Sequence, residues 1–148
     1  MCGNNINDLT GIHTLKSIKI LVFKENNISK FDYFDGLPNL VFLDLSYNKI
    51  RSLEKGNIGL LPCLKTLILD HNYLKTANGF IKISSLNYLS LDNNKIQEFS
   101  QIERLGDHEN LREFNLSNNL ITKNYNYRIH ILRRFIYLTK LDTIVYID

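Results

Sequence analysis

Residues 64–74 read Leu-Lys-Thr-Leu-Ile-Leu-Asp-His-Asn-Tyr-Leu. Leucines fall at Leu64, Leu67, Leu69 and Leu74, and an asparagine stands at Asn72. The alternation from Leu67 to Leu69 has the period of a strand, not the 3.6-residue stripe of a helix. The same spacing recurs on both sides. One copy is Ile18, Leu21, Phe23, Asn26, Ile28, and the next is Leu40, Leu43, Leu45, Asn48, Ile50. After the central copy come Leu86, Leu89, Leu91, Asn94, Ile96 and then Leu111, Phe114, Leu116, Asn119, Ile121. The asparagines are 22, 24, 22 and 25 residues apart. A short unit repeated at this period specifies stacked units that share one continuous core.

Each anchor has a physical task. The alternating leucines point one edge of a short strand into the core. The asparagine follows, where the chain turns inward. Its amide both donates and accepts, so it can satisfy backbone groups that the turn would otherwise bury unpaired. Apolar residues spaced by three, such as Phe31, Phe34 and Leu37, or Phe99, Ile102 and Leu105, suit short helical or 3₁₀ turns on the opposite side. Strands are predicted at about residues 20–24, 42–46, 66–70, 88–92 and 113–117.

These residues resemble the leucine-rich repeat superfamily, and the resemblance spans essentially the whole chain. It implies an α/β solenoid with a curved parallel sheet on the concave side and short helices or 3₁₀ turns on the convex side. One domain is expected over residues 1–148, with a partial repeat at 1–17, five repeats at 18–123 and a C-terminal cap at 124–148. The step near 22 residues is similar to that of the short intracellular class.

Both ends depart from the repeat. Tyr127-Arg128 opens a stretch with Ile129, Ile131, Leu132, Phe135 and Ile136 at amphipathic spacing, so a helix is predicted at about 126–136. Leu141-Asp142 and the β-prone run Thr143 to Ile147 follow. This resembles the cap of intracellular leucine-rich repeat proteins, with Phe135-Ile136 where a leucine-proline step is usual. Such a cap closes an open apolar end. At the other end, a shift of 22 residues aligns Ile6, Leu9, Ile12 and Leu15 with Ile28, Phe31, Phe34 and Leu37. Met1 then falls on a strand leucine, so the chain is expected to begin inside a repeat with an uncapped edge. A monomer is expected unless that edge self-associates.

The repeat places surface residues in columns. The first is Ile20, Phe42, Thr66, Tyr88, Glu113, and the second is Val22, Asp44, Ile68, Ser90, Asn115. The third is Lys24, Ser46, Asp70, Asp92, Ser117, and the fourth is Glu25, Tyr47, His71, Asn93, Asn118. Ile20, Val22, Phe42, Ile68 and Tyr88 are large apolar residues at positions that should face water. Asp44, Asp70 and Asp92 form an acidic line beside them. Aromatic anchors rimmed by charge are characteristic of protein-binding surfaces, and the concave sheet is where a solenoid presents them. The expected partner-binding residues are therefore Ile20, Val22, Phe42, Asp44, Tyr47, Ile68, Asp70, Tyr88 and Asp92. Asp70 and His71 are expected to face solvent, and replacement of Asp70 is expected to cost little stability.

No catalytic, cofactor or metal constellation is legible. His13, His71, His108 and His130 fit no metal or acid–base spacing, and phosphate-loop and nucleophile-elbow motifs are absent. Cys2 and Cys63 match no metal spacing and read as free thiols of a reducing compartment. A cytoplasmic or nuclear protein is expected, since no signal-peptide or membrane-length apolar run is present. The net charge of +3 is small and scattered along the sequence, so no direct nucleic-acid partner is expected. The repeats, the Tyr-Arg cap and the Leu-Asp ending resemble the leucine-rich repeat regulatory subunit of protein phosphatase 1. That resemblance implies the phosphatase catalytic subunit as the partner, with Phe42, Asp44, Asp70, Tyr88 and Asp92 in contact. The same cap occurs in the spliceosomal A-prime protein and in an axonemal dynein light chain, which keeps a structural subunit open as the alternative.

Overall fold

The structure is a computed structural model, and it describes residues 2–31, 34, 36–52 and 61–146. Seven strands form one sheet in sequence order: β1 (Ile20–Val22), β2 (Phe42–Asp44), β3 (Thr66–Ile68), β4 (Tyr88–Ser90), β5 (Glu113–Asn115), β6 (Lys140–Leu141) and β7 (Ile144–Val145). Pairing is parallel from β1 to β6, and β7 returns antiparallel on β6. The register sets Leu21, Leu43, Leu67, Leu89, Phe114 and Leu141 side by side in one buried row. Short 3₁₀ turns, including Asn78–Lys82, Phe99–Gln101 and Glu103–Asp107, return the chain on the convex side. Phe31, Phe34, Leu37, Ile102 and Leu105 are buried there, while Phe99 is partly buried.

The strands end two residues earlier than the sequence reading placed them. The cause is a left-handed residue in each turn: Glu25, Tyr47, His71, Asn93 and Asn118 have φ between 50° and 59°. Ladder hydrogen bonds nevertheless run on to that residue. Leu45 N–H donates to Ile68 C=O, and Tyr47 N–H donates to Asp70 C=O.

The asparagines perform the expected task. Asn72 Oδ1 accepts from Ile50 N–H at 2.9 Å, and its amide donates to Leu45 C=O at 3.0 Å and Leu69 C=O at 3.1 Å. Asn48, Asn94 and Asn119 repeat this arrangement one step along. Each amide therefore ties two neighbouring turns together.

The cap begins with the helix α1 (Tyr127–Arg134), shorter at both ends than predicted because Asn126 and Phe135 both lie outside helical geometry. Arg134 reaches over Gly106 to Asp107, with an Nη2–Oδ1 distance of 2.7 Å. No larger residue fits at Gly106 without moving that side chain, since an added Cβ would lie 2.6 Å from Arg134 Cγ. Asp142 explains the Leu-Asp signature. Its Oδ1 accepts from Leu116 N–H at 2.9 Å, the kind of bond that Leu91 N–H makes to Asn115 C=O of the next strand. The carboxylate thus replaces a strand carbonyl where the regular ladder stops. Tyr127 donates its hydroxyl to the same carboxylate. Burial, reinforced by that carboxylate, pushes the Tyr127 hydroxyl far above the usual phenol range.

At the other end of the sheet, Leu9 and Ile12 are buried and Ile6 is partly so, whereas Leu15 is exposed. Asn26 Oδ1 accepts from Ile6 N–H and Asn27 N–H donates to Ile6 C=O, extending the asparagine pattern toward the N-terminus. Met1 and Ile147, assigned above to a strand leucine and to the β-prone run, lie outside the described residues.

Candidate functional site on the concave face

The parallel register builds the columns from residues that are distant in sequence. Ile20 pairs with Phe42, Phe42 with Thr66, and Thr66 with Tyr88. Phe42 and Tyr88 are thus two strand spacings apart, about 10 Å, with the small Thr66 between them. Val22, Asp44 and Ile68 form the adjacent column. Ile20 is 64% exposed, while Val22, Phe42, Ile68 and Tyr88 are partly buried. The apolar residues therefore gather over β1 to β4, and Phe42 lies within the patch beside the most exposed member.

The acidic residues are not a free rim. Asp44 and Asp92 are partly buried: Asp44 accepts from Ser46 N–H at 2.8 Å, and Asp92 accepts from the Asn118 amide at 2.7 Å. Asp70 is the most embedded in hydrogen bonds. Its Oδ1 accepts from the buried Ser90 hydroxyl and from Asp92 N–H at 2.9 Å. Burial raises the Asp70 carboxyl above its ordinary value, against the two hydrogen bonds, which lower it. The sequence reading of Asp70 as a solvated group is corrected by these contacts. Ser90 and Asn115, whose amide donates to the Ser90 hydroxyl, complete a network that the column pattern alone does not reveal.

His71 is likewise not a free surface histidine. Its ring stacks on Tyr47 with centroids 4.0 Å apart and planes 12° from parallel. The Asn93 amide donates to Nδ1 at 2.8 Å, and Asp92 lies 4.0 Å from Nε2. Lys24 Nζ sits 5.2 Å from the Tyr47 ring centre. Tyr47 is 45% exposed. A left-handed backbone suits asparagine, as at Asn93 and Asn118, and disfavours large side chains. Tyr47, the bulkier of the two stacked rings, is the less suited to this backbone.

The face thus divides in two. An apolar patch of Ile20, Val22, Phe42, Ile68 and Tyr88 lies over the strands. A polar and aromatic row of Tyr47, His71, Asp70 and Asp92 lies along the turns that follow. Among the described residues no three His, Cys, Asp or Glu side chains gather as metal ligands do. Cys2 and Cys63 are free and exposed. Among the described residues no helix is long and apolar enough to cross a membrane.

A family model described as "Leucine-rich repeat" matches residues 32–144, and a second, "Leucine rich repeat", matches residues 2–50. An uncharacterised leucine-rich repeat-containing protein of Schizosaccharomyces pombe is 33% identical over 124 residues, covering 82% of this chain and 20% of that protein. The U2 small nuclear ribonucleoprotein A′ of Arabidopsis thaliana is 33% identical over 132 residues, covering 88% of this chain and 49% of that protein. The chain spans half or less of the length of these relatives. Among solved structures, an internalin from Listeria monocytogenes superposes with a TM-score of 0.79 at 26% identity, covering 95% of this chain and 39% of the internalin.

Proposed function

The chain belongs to the leucine-rich repeat family, and from that premise we propose that it is a non-enzymatic subunit whose concave face holds a protein partner. The observation that supports this reading most directly is the apolar patch around Phe42 on a sheet face that no other segment of the described chain covers. Phe42 and Tyr88 are large, rigid groups that gain from being covered, so they are the anchors. Asp92, in the same repeat as Tyr88, steers a basic partner surface and acts mainly on the association rate.

The phosphatase 1 catalytic subunit is the partner implied by the resemblance of the repeats and the cap. A second reading, a structural subunit of a ribonucleoprotein, is favoured by the Arabidopsis relative. Immobilised chain titrated with the phosphatase catalytic subunit tests the first. Phe42→Ala and Tyr88→Ala are each expected to lose at least tenfold in affinity, while the convex-side Lys82→Ala binds as the parent does. Absence of phosphatase binding, together with co-purification of a ribonucleoprotein protein that Phe42→Ala abolishes, replaces the first partner by the second. Unaltered binding of both concave variants removes the concave site.

A further inference from the structure

The net charge of +3 averages over surfaces of opposite sign. Glu25, Asp44, Asp70, Asp92 and Glu113 lie along the concave columns, against Lys24 and Lys140. The positive charge lies elsewhere, and the turn after each asparagine gathers much of it. There, Lys49 N–H donates to Ile28 C=O, Tyr73 N–H to Ile50 C=O, and Lys95 N–H to Leu74 C=O. These bonds stack Lys49, Tyr73 and Lys95 in one column on the lateral flank of the solenoid. Two residues further along each turn, Arg51 and Lys75 form a parallel column, and all five are exposed.

Neighbouring repeats touch along this flank, where the Arg51 guanidinium lies 5.8 Å from the centre of the Tyr73 ring. Tyr73 is 45% exposed, and one face of its ring is free of any aromatic neighbour among the described residues. No ion pair among the described residues engages Lys49, Arg51, Lys75 or Lys95. Glu98, three residues beyond Lys95 in the sequence, is occupied in capping its own 3₁₀ turn. The four cations Lys49, Arg51, Lys75 and Lys95 span the second to the fourth repeat.

We propose that this flank binds the phosphate backbone of a single-stranded nucleic acid, with Tyr73 stacking on a base. Cations at about 5 Å per repeat, in no ion pair among the described residues, track a chain of phosphates. From Lys49 to Lys95 the strip runs two repeat spacings, about 10 Å, the length of about three nucleotides at the per-strand spacing of a duplex. An exposed aromatic ring amid cations is the arrangement that accepts an unpaired base without regard to its identity. A duplex or a bilayer gives the ring nothing to stack on. The flank is separate from the concave face, so the assignment stands or falls independently of the protein partner.

The test is fluorescence anisotropy of a labelled oligouridine of about 15 nucleotides titrated with the whole chain. Binding is expected to weaken about fiftyfold between about 50 and about 200 mM salt, the loss for about four neutralised phosphates on a single strand. The combined variant Lys49→Glu, Lys75→Glu, Lys95→Glu is expected to lose at least tenfold. Tyr73→Ala is expected to lose about fivefold or more, since one stacked base contributes at least that much. Phe42→Ala binds the oligonucleotide as the parent does, and circular dichroism confirms that all variants fold. No binding at low salt overturns the proposal. So does binding that Tyr73→Ala leaves unchanged, which identifies a plain ion-exchange surface. Binding to phosphatidylserine–phosphatidylcholine vesicles in preference to the oligonucleotide also overturns it, in favour of a membrane surface.

Discussion

Asn72 and Asp70 stand two residues apart and show how differently two polar side chains can serve the same turn. Asn72 is buried, and its amide bonds to backbone groups of its own repeat and of the preceding one. Asn72→Ala strands those groups, so urea melts should show a loss of about 1–3 kcal/mol. Asp70→Ala leaves the Ser90 hydroxyl and the Asp92 N–H without their acceptor, so its loss should be about 1 kcal/mol, not the negligible change expected of a surface acid. Asp70→Asn keeps an acceptor and removes the charge, which makes it informative about pH. The folded-state carboxyl lies above the usual value of 3.8 because burial disfavours its ionised form. A raised folded value means that the stabilising contribution is complete below 3.8 and is lost as pH rises through the folded value. The difference in stability between Asp70→Asn and the parent should therefore move in the variant's favour between about pH 4 and about pH 7. A difference that stays constant across that range would mean that Asp70 is no less at ease charged than it is in the unfolded chain.

At the scale of elements, the cap works by imitation. Six parallel strands leave each N–H an acceptor on the next strand until the row runs out at β6, which is two residues long. Asp142 meets that shortage with a side chain, in the left-handed conformation that the turn residues of the repeats also adopt. Asp142→Ala removes the acceptor of Leu116 N–H and the partner of the Tyr127 hydroxyl together, and should cost about 1–3 kcal/mol in denaturant melts. Asp142→Asn keeps both an acceptor and a side chain suited to the left-handed backbone, so it should recover most of the loss. Tyr127→Phe removes one hydrogen bond and should cost about 1 kcal/mol. If Asp142→Asn were as damaging as Asp142→Ala, the carboxylate's charge, not its geometry, would be what matters. The sequence shows that a cap is present, because amphipathic spacing from Tyr127 and the Leu141-Asp142 pair are both visible. It does not show this substitution for a strand carbonyl, since Leu116 and Asp142 are 26 residues apart and nothing in their spacing joins them. The ends of the strands were similarly hidden. The left-handed turn is carried by Glu25, Tyr47 and His71 as well as by asparagines, and those residues give no turn signal.

For the whole molecule, the repeat was legible because five anchors recur in phase, and that same phase carried the concave columns correctly into register. What the columns could not convey was charge segregation and hydrogen bonding between columns, both of which depend on three-dimensional neighbours. A stacked architecture makes its own prediction about cooperativity. Each repeat buries its apolar edge only against the next, so the fifth repeat depends on the cap for one side of its core. Phe114 packs at 5.5 Å from Phe135, and Tyr127, Ile131, Leu138 and Leu141 are buried in the same cluster. Removal of residues 124–148 should therefore uncover the apolar side chains of the fifth repeat and free the outer edge of β5. An unpaired edge beside exposed apolar surface is prone to pair with a second copy. The truncated chain should elute as oligomers in size-exclusion chromatography, with weaker strand signal in circular dichroism and a lower melting temperature than the parent. Asp142→Ala, which leaves the apolar cover in place, should remain monomeric despite its lower stability. A truncated chain that stayed monomeric and melted as the parent does would show that the fifth repeat closes its own core, and the cap would need another explanation.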